Sequence, residues 1–139
     1  MKLSSKGRYA VMALTDLAKF DLKDPVSLRD ISLRQGISLV YLEQLFLKLK
    51  KSKIVISVRG NKGGYILSKK PSEIKISDIF IAVEEKIKTI GCEKHSKQGC
   101  NGRSSKCITH DLWDELENYI NDFFRKKNLG DLINQTKFN

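Results

Sequence analysis

All three cysteines and both histidines of the chain fall within residues 92 to 110, CEKHSKQGCNGRSSKCITH. The spacing is C-x7-C-x6-C-x2-H, with His95 inside the first interval. Thiolates and an imidazole gathered this densely are a donor set for zinc or for an iron–sulfur cluster. Structural zinc sites draw on close cysteine pairs, and no two cysteines here are separated by only two to four residues. A disulfide leaves the third thiol unpaired and is disfavoured in a reducing compartment. A catalytic Cys–His pair has no oxyanion element or substrate cleft to accompany it. On residue types and spacing alone the two metals stay open. Cys107 and His110 form the tight pair and open the following helix, whereas His95 reads as a solvated loop residue. Lys94, Lys97, Arg103 and Lys106 surround the thiols with positive charge, which would lower their pKa values or simply solubilise the loop. One large apolar residue, Ile108, lies in the stretch, so other elements must hold it in place.

Those elements are legible upstream. Residues 5 to 20 have a helical apolar pattern in Tyr9, Met12, Ala13, Leu17 and Phe20. Pro25 breaks it. Ser27, with Asp30 three residues on, caps a short helix carrying Leu28 and Ile31, and Gly36 ends it. Ser38 caps the next helix, LVYLEQLFLKLKKSK, whose Leu39, Leu42, Leu45, Phe46 and Leu49 form one stripe. Helix, glycine turn, helix is the helix-turn-helix arrangement. Ile54 to Val58 and Tyr65 to Ser68 have strand propensity, and RGNKGG between them reads as a hairpin loop. A basic two-stranded ribbon after a helix-turn-helix is a wing. KISDIFIAVEEKI reads as a helix capped by Ser77, with Ile79, Phe80 and Val83 inward. THDLWDELENYINDFFRKK reads as a long helix with Leu112, Trp113, Leu116, Tyr119, Ile120, Phe123 and Phe124 along one side, fit for a subunit interface. The expected class is mainly α with a small β wing: a winged helix-turn-helix plus a long C-terminal dimerisation helix. The expected divisions are a DNA-binding unit over 1–70, a connecting helix over 71–90, a Cys/His loop over 91–110, and the dimerisation helix with its tail over 111–139.

Charge points to the partner. The 139-residue chain carries +10, and residues 44–70 hold eight cations and no acid: Lys48, Lys50, Lys51, Lys53, Arg59, Lys62, Lys69 and Lys70. From residue 111 onward, six acids outnumber four cations. A localised positive patch is what a phosphate-facing surface requires. In a helix-turn-helix the second helix presents its first turns to base edges. Ser38, Tyr41, Glu43 and Gln44 are polar residues there; Gln pairs with adenine and Glu with the cytosine amino group. Lys48, Lys50 and Lys51 suit phosphates. Arg59 suits a narrow minor groove, with Lys62 beside it and Gly60 and Gly63 leaving the loop unobstructed. The amino terminus lacks a signal-peptide pattern, and no apolar run approaches the roughly 20 residues of a bilayer span. A cytoplasmic protein without membrane association is expected.

SKGRYAV, DISLRQGISLVYLEQLFLKLKKS, SVRGNKGGYIL and THDLW resemble the winged-helix regulators of the IscR type, within the Rrf family, from Met1 to about Asn134. The resemblance implies a non-enzymatic regulator of transcription, mostly a repressor, that binds a double-stranded DNA operator as a homodimer. It implies a [2Fe–2S] cluster on Cys92, Cys100, Cys107 and His110, supplied by the iron–sulfur assembly machinery, and control of cluster biogenesis genes. Glu43 takes the place of the family glutamate that separates the operators of loaded and unloaded forms; Gln44 and Arg59 fall on contact positions. The ligand loop is three residues longer than the family pattern, and Val40, a DNA-contact position of the recognition helix, stands where the relative typically has Ser, which implies a different operator sequence. Related nitric-oxide sensors use an acidic ligand near the amino terminus, where this chain has Arg8. A thiol- or nitric-oxide-responsive regulator and a zinc-stapled constitutive DNA-binding protein are the competing readings.

Overall fold

The computed structural model describes residues 4–20, 23–86 and 108–136. Helix α1 spans Ser5–Ala18, α2 Leu28–Gln35 and α3 Leu39–Lys51; strands β1 (Val55–Val58) and β2 (Gly64–Leu67) follow, then a 3-10 turn at Pro71–Glu73, α4 (Ile76–Ala82), α5 (His110–Lys126) and α6 (Leu129–Thr136). This is the expected class: mostly helical, with one small antiparallel sheet.

Helix α1 is the hub. Ala10, Ala13, Leu14 and Leu17 are buried on it, and the alanines let α2, α3, α4 and α6 approach closely. Met12 and Phe20, expected on the inner face, are partly exposed; the buried stripe runs one residue to the side, through Ala10 and Leu14. Phe20 instead lies under the Arg34 guanidinium, 4.9 Å from its ring centre. The caps of the helix-turn-helix follow the sequence. Ser27 Oγ accepts from the Asp30 N–H at 3.1 Å, and Gly36 ends α2 in the left-handed region at φ 66°, where a side chain would strain the backbone. Ser38 Oγ accepts from the Tyr41 N–H.

In the wing, Val55 pairs with Leu67 and Val58 with Gly64. Val26 adds a third strand stub, exchanging both backbone hydrogen bonds with Tyr65 at 3.0 and 2.8 Å. Gly64 makes that approach possible: a Cβ there would sit 2.3 Å from the Val26 carbonyl oxygen. Tyr65 then reaches Phe46 on α3, ring centres 5.0 Å apart.

Two expectations are corrected. Ser77 does not cap α4; the helix begins at Ile76, and the Lys75 N–H donates to Asp78 Oδ2. The cause is tertiary: Ile76 N–H is held by the Lys127 carbonyl at 2.9 Å, in register with a bridge between Lys75 and Asn128. The residues after the long helix are not a plain tail either. Asn128 and Asp131 cap α6 reciprocally, each backbone N–H donating to the other's side chain at 3.0 Å. Leu129 is fully buried in the common core.

Sequence reading did not find the ion pair joining α1 to α2. Asp16, only 3% exposed, accepts from Arg34 Nε and Nη2 and from Gln35 Nε2, at distances down to 2.7 Å. Burial pushes its carboxyl up, but the Arg34 and Gln35 hydrogen bonds and the charges of Arg34 and Lys19 outweigh that and hold it below the ordinary aspartate range. Its stabilising contribution is therefore present above the ordinary value of about 4 and lost as pH falls through the depressed one. Asp16→Asn is expected to cost about 2–3 kcal/mol at neutral pH. In urea unfolding the gap between wild type and variant should narrow below about pH 4.

Candidate nucleic-acid interface

Helix α3 is gripped on one side and open on the other. Leu42, Leu45, Phe46 and Leu49 are buried, each contributing roughly 1.5–3 kcal/mol of transfer free energy. The opposite side leaves Val40, Glu43, Gln44, Leu47, Lys50 and Lys51 exposed. Glu43 is the one acid between residues 39 and 72. Helix α3 ends at Lys51 with Ser52 as its cap; the next residue, Lys53, has φ 61°, and Ile54 N–H reaches back to the Leu49 carbonyl, a left-handed termination without glycine.

The predicted contact residues divide into three groups. Val40, Glu43 and Gln44 stand exposed on the outer face of α3. Arg59, Gly60 and Lys62 are exposed at the wing tip, and Gly63 N–H closes that loop on the Gly60 carbonyl at 3.0 Å. Three residues have intramolecular work. Ser38 is exposed but engaged as the α3 cap. Tyr41 is turned toward α1, its hydroxyl 3.0 Å from that of Ser5 and its ring edge-on to Tyr9. Lys48 Nζ lies 3.3 Å from Glu84 Oε2.

The Glu84 contact belongs to a small polar lattice at the exit of α4. Glu85, largely buried, accepts from the Ser4 N–H at 2.6 Å and meets the hydroxyl of Ser4, the residue that caps α1. A carboxylate at a helix N-terminus is favoured by the macrodipole. Glu84, at φ 60°, leaves its carbonyl to Lys6 Nζ. The lattice therefore ties the beginnings of α1 and the flank of α3 to the point where the chain leaves α4. Nothing in the sequence marked it: two glutamates in a charged run look like solvated surface.

Of the proposed cluster ligands, Cys92, Cys100 and Cys107 lie outside the described residues, as does the rival His95. His110 is described: it opens α5 and is 4% exposed. One turn further, Asp114 buries Oδ1 with no hydrogen-bond partner among the described residues. Among the described residues no helix is long and apolar enough to cross a membrane.

The Rrf2 family, iron-dependent transcriptional regulators, matches residues 3–135. The chain belongs to the Rrf2 family. The HTH-type transcriptional regulator IscR of Aliivibrio salmonicida is 50% identical over 133 residues, covering 96% of this chain and 77% of that protein. The regulator of the same name from Escherichia coli O9:H4 (strain HS) is 48% identical over 134 residues, covering 96% and 81%. Among solved structures, T. potens IscR superposes with a TM-score of 0.76 at 34% identity, over 98% of this chain and 88% of that one. CymR, the global cysteine regulator of B. subtilis, gives 0.80 at 29% identity, over 97% and 98%. This Rrf2 member is a DNA-binding transcriptional regulator on a winged-helix fold, and its relatives are regulators rather than enzymes.

The Lys48–Glu84 pair occupies one of the cations on the basic flank of α3. Glu84→Gln is expected to release it, raising affinity for any DNA duplex at low salt and steepening the salt dependence by up to about one unit of slope. Fluorescence anisotropy across a salt series measures both.

Proposed function

We propose that this chain is a homodimeric repressor that responds to iron–sulfur status through a [2Fe–2S] cluster held by Cys92, Cys100, Cys107 and His110. The observation that carries the reading is His110: a buried imidazole on the first turn of α5, directly after a segment holding every thiol of the chain. Three thiolates and one imidazole fit such a cluster chemically, and the orphaned Asp114 oxygen lies one turn along the same helix. When bound, the cluster would supply a ligation-dependent tie between the cysteine segment and α5. The iron–sulfur assembly machinery is the donor, and cluster biogenesis genes are the proposed targets.

On the DNA side, Glu43 and Gln44 read base edges, Lys50 and Lys51, with Lys48 when released, meet phosphates, and Arg59 with Lys62 on the wing enters a minor groove across Gly60 and Gly63. Ser38 and Tyr41 set the angle of α3 as well as bordering the contact. Residues 1–70 form the DNA-binding unit in this reading, 71–90 the connector, 91–110 the ligand loop and 111–139 the dimerisation region.

Dimerisation rests on α5. Ile120 and Phe124 pack on the core, Phe124 with its ring centre 4.7 Å from that of Phe80. That leaves Leu112, Leu116, Tyr119 and Phe123 exposed at alternating steps of four and three residues, Tyr119 at 71%, the spacing of a coiled-coil seam. Beside it, Met12, Phe80, Phe123 and Leu132 line an apolar groove of about 490 Å³.

Protein purified anaerobically is expected to be red-brown, with about two iron and two sulfide per chain. Replacing Cys92, Cys100, Cys107 or His110 by Ala should remove or shift the visible absorption while leaving a folded dimer. Colourless protein with one zinc per chain would make the segment a structural staple instead. Leu116→Asp combined with Tyr119→Asp should give a folded monomer in sedimentation; an unchanged dimer would move the interface elsewhere.

A further inference from the structure

Two residues on the outer face of α3 are apolar. Val40 is 63% exposed and Leu47 58% exposed. They are seven residues apart, so at 3.6 residues per turn they lie within about 20° of each other around the helix axis. Leu42 and Leu49, on the buried side, lie almost diametrically opposite. Val40 and Leu47 therefore form the crest of the exposed face, with Glu43 to one side and Gln44 to the other. A single exposed apolar residue is ordinary in a folded protein. Two aligned on one crest, between the polar residues proposed to read bases, require an occupant that is apolar in two places and anionic around them. The surroundings define the anionic part: Lys50 and Lys51 continue the same face, Arg59 and Lys62 stand on the wing, and Glu43 is the one acid between residues 39 and 72.

We infer that Val40 and Leu47 are specificity-determining residues that pack against thymine C5-methyl groups in the major groove. The major groove of B-DNA offers one apolar group, the thymine methyl, amid hydrogen-bonding edges and phosphates. Seven residues of helix span about 10 Å, which matches about three base-pair steps at 3.4 Å. Each half-site should carry two thymine methyls about three steps apart, bracketing the pairs read by Glu43 and Gln44. A protein partner would meet this crest through an apolar face, but the ring of cations and the depth of the groove suit nucleic acid. The inference rests on the DNA-binding reading and adds to it the chemistry by which α3 discriminates.

The test starts from a randomised duplex pool, selected by the full-length dimer at physiological salt. The enriched duplex is then resynthesised with deoxyuridine at single thymine positions, which deletes the methyl and keeps base pairing. Two positions per half-site, about three steps apart, should each lose roughly threefold to fivefold in affinity, the worth of one buried methyl. Val40→Ser should abolish the sensitivity at one position and Leu47→Ser at the other, each variant binding the deoxyuridine duplex as wild type does. Equal binding of thymine and deoxyuridine duplexes by the wild-type protein would overturn the inference while leaving the DNA-binding reading intact. Loss of sensitivity at the same position in both variants would overturn the assignment of one methyl to each residue. A pool from which no sequence is enriched would overturn the operator reading, and the inference with it.

Discussion

The structure depends on the burial of one side of α3. Leu42, Leu45, Phe46 and Leu49 are almost completely withdrawn from water, and removing Phe46 alone would cost about 3–5 kcal/mol. Because the helix is rigid, fixing that side fixes the other, and every outward residue inherits its direction from the core. The wing is positioned by the same contact, since Tyr65 packs on Phe46 while its backbone pairs with Val26. The outward face of α3 and the ribbon beside it are thus two consequences of a single packed layer.

Around that layer, polar contacts hold the elements where apolar packing leaves a choice. Asp16 locks α2 to α1 through Arg34 and Gln35. Glu85 caps α1 from the end of α4, Ser5 meets Tyr41 on α3, and Glu84 meets Lys48. Each of these is longer in range than any pattern along the chain. Together they place the exit of α4 in contact with both α1 and α3. The cysteine segment follows in sequence, and α5 begins at His110.

Much of this was legible from local signals. Ser27, Gly36 and Ser38 mark the helix ends because capping is decided within three or four residues. RGNKGG marks the hairpin because the turn needs small residues there. Helices α3 and α4 are followed instead, two residues past their ends, by Lys53 and Glu84, both with positive φ; left-handed backbone in such residues costs about 1 kcal/mol. Only tertiary packing offsets that, so no glycine announced either end. Asn128 and Asp131 did carry a capping signal for α6, but eight residues after a longer helix read as a tail until Leu129 was seen in the core.

The amino-acid sequence by itself determined the class of the molecule, the position of the wing, the location of the positive charge and the collection of every thiol in one segment, because each follows from short-range spacing or from composition. The tertiary structure decided which side of each helix faces outward. The seven apolar residues of α5 looked like one stripe; packing divides them, setting Ile120 and Phe124 against the core and leaving Leu112, Trp113, Leu116, Tyr119 and Phe123 exposed. It likewise turned Tyr41 inward and left Val40 and Leu47 on the crest. A periodic pattern states that a helix has an apolar side, but only the neighbours that fill the space determine how wide that side is and where it ends.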